Sequence, residues 1–212
     1  WQQVTKLRYD VFAEELQQYS RNDDKMLEDP GEHFLTLSDK NNLIGYVSIN
    51  SPEDRKYRME KYFGKQILDN ITQKVSEKAI IHEVRGLTIN DEFRNQGFAK
   101  LLMMGALKFA HQNGADNIIA MGHTEVLPMY RAIGMHVFEE YNVPAGDVIF
   151  YPMIVAVDQL MKRAGNEISA LEIVDLIDLR IKNGLELDSS ICIDFEKRRR
   201  HTNYLFSQGI DF

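Results

Sequence analysis

The sequence predicts an α+β fold, a sheet of short strands with amphipathic helices laid against it. Three observations carry that prediction. In Glu83–Ala99, apolar positions at Val84, Leu87 and Ile89 read as a strand, Asn90–Glu92 breaks it, and a helix signal opens at Gly97 and runs through Leu101 and Leu102. Phe34–Leu37 and Leu43–Ile49 alternate on either side of Ser38-Asp39-Lys40-Asn41-Asn42, the pattern of an antiparallel hairpin. Val4, Leu7, Val11, Phe12 and Leu16 recur at helical spacing.

Each element follows from its local pattern. Leu7–Leu16 opens the chain as an amphipathic helix with Glu14 and Glu15 outside. After the hairpin, Tyr57, Tyr62, Phe63, Ile67, Leu68 and Ile71 sit among charges at helical spacing, so Ser51–Lys78 is one or two amphipathic helices over the sheet. Ile80, Ile81 and Val84 begin the next strand. The helix after Gly97 continues through Leu107 and Phe109 to Gly114, with Met103 and Met104 filling gaps in the core. The turn Asn113–Asp116 leads to a buried strand, Asn117–Met121, and Leu127–Met135 is a short helix closed by Gly134. His136–Tyr141 and Val148–Val157 complete the sheet, joined by a turn at Pro144–Asp147.

Beyond Asp158 the character changes. Gln159–Arg163 ends a strand or begins a helix, Gly165-Asn166 breaks it, and Ser169-Ala-Leu-Glu172 is a capping-box string ahead of Leu171, Val174, Ile177 and Ile181. That helix is expected to stop at Asn183-Gly184. The chain therefore divides into a domain at 1–158 and a helical C-terminal extension, or a linker to a further domain, at 159–212.

Composition narrows the class. A chain of 212 residues, 44% hydrophobic and 27% charged, is long enough for one domain with a sizeable core and is neither disordered nor fibrous. Its net charge of -7 argues against a nucleic-acid binder while leaving room for a locally basic pocket. The single cysteine, Cys192, allows no internal disulfide and points to a reducing, cytoplasmic setting, with the thiol inert. No apolar run approaches a membrane span, and Trp1-Gln-Gln lacks the features of a signal peptide. The missing initiator Met suggests a trimmed terminus or a piece of a longer chain. Lys197–Arg200 with His201 is a basic cluster that fits a solvated face or a contact with acidic residues of the same or a neighbouring subunit.

The turn Arg94-Asn95-Gln96-Gly97-Phe98-Ala99 is the first candidate site. A helix N-terminus cannot satisfy its first amides internally, so it presents them to whatever lies above, and a pyrophosphate suits such a cradle. A side chain at Gly97 or a large one at Ala99 would hold the phosphate oxygens away, while Arg94 and Lys100 can add charge-assisted bonds at the rim. Taken alone, the same glycine equally suits a plain strand-to-helix turn that it merely eases. The second candidate is Tyr130, in the short helix that ends at Gly134.

In this order the two motifs resemble the GNAT acyltransferase superfamily, over roughly Val4–Asp158. The resemblance implies a central mixed, mostly antiparallel twisted sheet flanked by helices. It also implies that Arg94, Asn95, Gln96, Gly97, Phe98, Ala99 and Lys100 hold the pyrophosphate of coenzyme A, that Leu87 and Ile89 pair their main chain with the pantetheine arm, and that Tyr130 faces the thioester sulfur. The opening Leu7-Arg-Tyr-Asp-Val-Phe-Ala-Glu-Glu15 is similar to that of N-acyl amino acid synthases and acyl-homoserine-lactone synthases, where an acidic loop and a strand-starting histidine follow. Glu28, Asp29 and His33 fall where that pattern expects them, and Arg8, Phe12 and Arg85 become candidate substrate contacts. Two departures stand out. Ser48 occupies a place where those synthases usually carry arginine, and Arg85-Gly86 replaces a Ser-Arg pair.

The implied activity is an N-acyltransferase, which moves an acyl group from acetyl-CoA or a longer acyl-CoA, or from an acyl carrier protein, to the amine of a small molecule such as an amino acid. Direct attack on the thioester needs a base, an oxyanion donor and an acid for the departing thiolate. A main-chain N–H near Leu87 suits the oxyanion. Glu83 is the base candidate, and it equally suits a structural pairing with Arg85 or another cation while a water chain removes the proton. Tyr130, with an ordinary pKa of about 10, suits the acid or a half-buried core tyrosine with a bonded hydroxyl. Arg8 and Phe12 also fit a packed helix with a snorkelling arginine, and His33, His82 and His123 fit structural histidines. The aromatics of Ser51–Lys78 would suit the wall of an acyl groove. No residue spacing suggests a metal site. The other classes are a non-catalytic acyl-CoA-binding sensor of the same fold, and a protein N-acetyltransferase whose peptide groove the Ser51–Lys78 stretch would obstruct. The basic tail is a candidate carrier-protein dock, and the sequence leaves the oligomeric state open.

Overall fold

A computed structural model describes residues 2–17, 32–39, 42–50, 57–76, 78–162 and 178–181. Helix α1, Gln2–Tyr9, runs directly into a π-helical turn, Asp10–Glu15. Strands β1 (Glu32–Asp39) and β2 (Asn42–Asn50) form the expected antiparallel hairpin. Helices α2 (Glu60–Phe63) and α3 (Lys65–Thr72) follow, then β3 (Ile81–Ile89), α4 (Phe98–Gln112) and β4 (Asn117–His123). Helix α5 (Leu127–Ala132), β5 (His136–Val137), β6 (Val143–Ala145), β7 (Val148–Ala156), a helical stretch at 157–162 and β8 (Asp178–Ile181) complete the described chain.

The sheet order is β5-β7-β4-β3-β2-β1-β8, with β6 also paired to β7. Only β3 and β4 run parallel among the described strands, because α4 carries the chain back between them, and every other pairing is antiparallel. The sheet is therefore the mixed, mostly antiparallel one expected. Alternate residues of each central strand face opposite layers. Val84, Ile118 and Ala120 pack with Phe98, Leu102 and Ala106 of α4, whereas Ile81 and Ile119 pack with Phe63, Leu68 and Ile71 of α2 and α3. Helix α1 covers the neighbouring part of that second face through Val4 and Leu7 against Phe34, Leu43 and Tyr46.

Four expectations change in the structure. The opening helix is not α-helical throughout, since its second half widens into the π turn. The strand expected at His136–Tyr141 pairs only over His136–Val137, and Val143–Ala145 pairs with β7 instead, turning at Gly146-Asp147. Helix α5 ends at Ala132, with Gly134 at φ 98° reversing the chain. In the tail expected to be helical, Asp178–Ile181 is a strand antiparallel to β1. Asp178-Leu-Arg-Ile181 alternates polar and apolar, and β1 would otherwise present a row of unpaired edge groups on that side. The remaining expectations for the tail, including Cys192 and the basic cluster Lys197–His201, and those for Glu28 and Asp29, lie outside the described residues.

Candidate active site

The parallel ladder between β3 and β4 covers only Ile81–Val84 against Asn117–Ala120. Past that point both strands continue, β3 to Ile89 and β4 to His123, without a pairing between them. On its other side β3 departs from β2 as well. Tyr46 pairs with Thr88 and Ser48 with Arg85, so Gly86 and Leu87 together oppose the single residue Val47. This is a β-bulge with its glycine at φ 62°, a left-handed backbone setting that glycine enters without strain. Ser48 Oγ donates to the Arg85 carbonyl at 3.0 Å and Thr88 Oγ1 to the Gly86 carbonyl at 2.9 Å, which fixes the bulge. The main chain at Gly86 and Leu87 thus has no ladder partner on either flanking strand.

A cavity of about 300 Å³ fills the opening. Leu87, Met121, Gly122, Val126, Met129, Tyr130 and Phe150 line one part of it, and Arg8, Phe12, Arg58, Lys61 and Arg85 another. Its lining thus combines apolar side chains from the splayed strands and α5 with the cations Arg8, Arg58, Lys61 and Arg85 and the Glu83 carboxylate. Tyr62 and Met59 from the α2 region also reach it, so the insert both covers the sheet and walls the cavity.

Tyr130 is buried, and burial pushes its phenol up to about 12, so it stays protonated across the neutral range. Its ring packs so closely on β4 that a Cβ added at Gly122 would fall 3.0 Å from Tyr130 Cε2. Gly122 therefore sets how deep the tyrosine sits. It was not singled out in the sequence, and its only signal there was a small residue at the end of a buried strand.

The turn before α4 carries two left-handed residues, Asn95 at φ 60° and Gly97 at φ 83°. Gly97 caps a helix whose first return bond is Leu101 N–H to Gly97 O at 3.2 Å, so the amides of Phe98, Ala99 and Lys100 have no acceptor within the helix. Asn95 and Gln96 are exposed, Gly97 and Ala99 are partly so, and Phe98 is buried against Phe93 as the anchor of the turn. Successive amides around alternating left-handed residues form a concavity suited to an anion. This turn opens to the surface and does not line the cavity.

Arg94 is placed differently from the expectation of a phosphate rim. Its Nη2 donates to both Glu15 oxygens at 2.7 and 2.9 Å, its Nε donates to the Ile89 carbonyl at 3.2 Å, and Asp91 lies 3.4 Å from Nη1. Ile89 accordingly has its carbonyl bonded to Arg94 and its backbone in register with Gly45 of β2.

Glu83 is buried at the point where the ladder ends. Its oxygens accept the amides of Arg58 and Met59, each at 2.7 Å, and Oε2 lies 3.4 Å from Asn50 Nδ2. The carboxylate also reaches the cavity wall. Sequence reasoning anticipated a cation as its structural partner, but two backbone N–H groups take that place. His82 is buried on the opposite side of the strand beside Phe109, and burial, helped by His33, lowers its pKa to about 4. The His33 ring lies 4.9 Å from the same Phe109 ring between centroids, tilted by 45°. His123 lines the cavity, with its pKa lowered mainly by burial. Among the described residues no group of three or more His, Cys, Asp or Glu side chains is placed to hold a metal ion, and no helix is long and apolar enough to cross a membrane.

A fold with one parallel pair splayed around a pocket, and an amide-rich turn opening the intervening helix, defines a class. Residues 1–136 match the family model of the acetyltransferase (GNAT) family, and the chain belongs to that family. It is an N-acyltransferase by that membership. Its fold is similar to that of FeeM, an N-acyl amino acid synthase from uncultured soil microbes, at a TM-score of 0.62 and 15% identity over 76% of this chain and 92% of that one. It is also similar to BjaI, a CoA-dependent acyl-homoserine lactone synthase solved with SAM and isopentyl-CoA, at 0.56 and 18% over 77% and 81%. An aminoglycoside 6'-N-acetyltransferase complexed with coenzyme A follows at 0.51 and 11%, over 74% and 89%. No curated protein sequence is similar enough to match.

Proposed function

We propose that this protein transfers an acyl group from acyl-CoA to the amine of a small molecule such as an amino acid, by direct attack on the thioester. The observation that carries this reading is the length of β3 main chain at Gly86–Leu87 with no ladder partner on either side, facing a cavity that also contains Tyr130. An extended pantetheine arm adds to such an edge as a strand would, and the diphosphate then reaches the amides of Gln96–Lys100.

In this reading the amine enters from the basic side, where Arg8 and Arg85 face a carboxylate and Phe12 covers the carbon skeleton. The amine nitrogen attacks the thioester carbonyl, and the oxyanion that forms takes a main-chain N–H at Leu87. Collapse of the intermediate breaks the C–S bond, and Tyr130 delivers its proton to the leaving sulfur. The high pKa of Tyr130 keeps that proton in place until the thiolate appears. Glu83 already accepts two amides, so it serves as the terminus of a water chain from the amine more readily than as a direct base.

The same engagement of Glu83 is the one feature that favours the second reading, an acyl-CoA-binding module without turnover. A panel of acyl-CoAs and amino acids separates them. Free thiol released only when donor and acceptor are both present establishes the transferase; tight acyl-CoA binding with no thiol released from any pair establishes the module.

A further inference from the structure

The residues that hold the N-terminal helix in place point to a connection between the two halves of the site. The π turn Asp10–Glu15 is an unusual local structure that concentrates at functional sites. Arg8, Val11, Phe12 and Leu16 from this segment line the cavity and form its acceptor-side wall. Two contacts fix where the wall ends. Leu16 and Gln17 lie against the β6–β7 turn so closely that a Cβ at Gly146 would fall 2.1 Å from the Leu16 carbonyl oxygen. Glu15, one residue earlier, accepts at both carboxylate oxygens from Arg94 Nη2.

Arg94 belongs to the turn that presents amides to a diphosphate, yet its guanidinium is directed at carboxylates of the protein. With Nη2 on Glu15, Nε on the Ile89 carbonyl and Nη1 beside Asp91, an incoming diphosphate meets a cation already paired twice. We infer that Glu15 is a positioning residue: through Arg94 it ties the acceptor-side wall of the cavity to the donor turn, and Arg94 acts through Glu15 rather than as a phosphate ligand. A part-exposed pair of this kind is weak as a general stabiliser, but with Nη2 on both Glu15 oxygens and Nε on the Ile89 carbonyl the guanidinium is held in one orientation, which favours one phase of the turn. In that phase Val11, Phe12 and Leu16 face the cavity.

The test uses Glu15→Gln, Arg94→Gln and the double variant in the whole chain, with two independent measurements. Hydrogen exchange without ligand reads the tie itself. Each single variant is expected to speed exchange of residues 10–17 by roughly threefold to fivefold, the upper end of what a part-exposed ion pair carries, with β3 and β4 unchanged. The kinetic measurement rests on the acyl-transfer reading. There the acceptor KM is expected to rise by about the same factor in both single variants and no further in the double variant, because a pair acting as a unit is lost once. The Kd for coenzyme A is expected to stay within about twofold of the parent, since the amides of the turn are untouched. Unchanged exchange at residues 10–17, multiplied KM effects in the double variant, or a coenzyme A Kd raised about tenfold by Arg94→Gln would each overturn the inference. Absence of thiol release from the parent protein would refute the acyl-transfer reading alone, and the exchange measurement would still decide the tie.

Discussion

The two halves of β3 have neighbours of the same kind and do opposite things with them. From Ile81 to Val84 the strand is paired with β4 throughout and with β2 as well at Glu83 and Val84, and it is buried on both faces, with Ile119 and Ile118 alternating below and above it across the ladder. From Arg85 to Leu87 it is partly exposed, bulged away from β2 and parted from β4. Burial follows the hydrogen bonding: where the ladder closes, the side chains are dry, and where it opens, a cavity of about 300 Å³ takes the space. The first half supplies stability, and the second leaves Gly86 and Leu87 without a ladder partner beside the cavity. Glu83 stands at the boundary, with its carboxylate holding the Arg58–Met59 backbone against the sheet.

That contrast breaks in measurable ways. The largest effect is expected in the open half, where Tyr130→Phe lowers turnover by about 100-fold to 10,000-fold, the range of a lost general acid. Its acyl-CoA affinity and melting temperature should stay near the parent's; a comparable loss of melting temperature with intact turnover would make Tyr130 a core residue. In the closed half, Ile119→Ala removes a fully buried side chain and should cost about 2–5 kcal/mol in denaturant unfolding. Turnover per folded molecule should hold, and a selective loss of rate would show that the halves are not separable.

At the boundary, Glu83→Gln replaces one of two accepting oxygens by a donor, leaving the amide of Arg58 or Met59 unmatched. A loss of about 1–3 kcal/mol follows. If the rate falls with it and regains no activity at higher pH, the carboxylate is also needed for the amine's proton.

The smallest effect is graded and lies in the closed half. His82 has a folded pKa of about 4 against an ordinary 6.5, so the unfolded chain binds more protons between these values. Stability is therefore full above about pH 6.5 and falls as pH drops toward 4, by about 1 kcal/mol between pH 7 and pH 5.5 for one histidine. A flatter unfolding profile over that window in His82→Asn checks the assignment.

Much of the architecture was legible in the chain. Val84, Leu87 and Ile89, then Gly97, Leu101 and Leu102, fall in a strand, a turn and a helix as read, and the hairpin pairs about its polar turn. Period-two and helical patterns report burial, and burial dominates these elements. Tyr130 and the 95–100 turn were found because they sit at fixed places in consecutive elements. Arg94 shows the limit of such reading. Its neighbours in sequence give the turn, but its partner Glu15 is 79 residues away and no local pattern announces that approach. Arg58 and Lys61 were missed for the same reason, since a charged residue in an amphipathic helix is read as solvated until the helix is docked.

The sequence by itself determined the order of elements, the amide-rich turn at the start of α4 and the tyrosine of α5, because glycine placement and apolar period act within a few residues. Tertiary structure alone decided that the β3–β4 ladder stops at Val84 and Ala120, that Glu83 binds amides, and that Asp178–Ile181 is a strand. Those outcomes depend on which hydrogen-bonding groups meet across the sheet, and a chain read in one dimension does not contain those meetings.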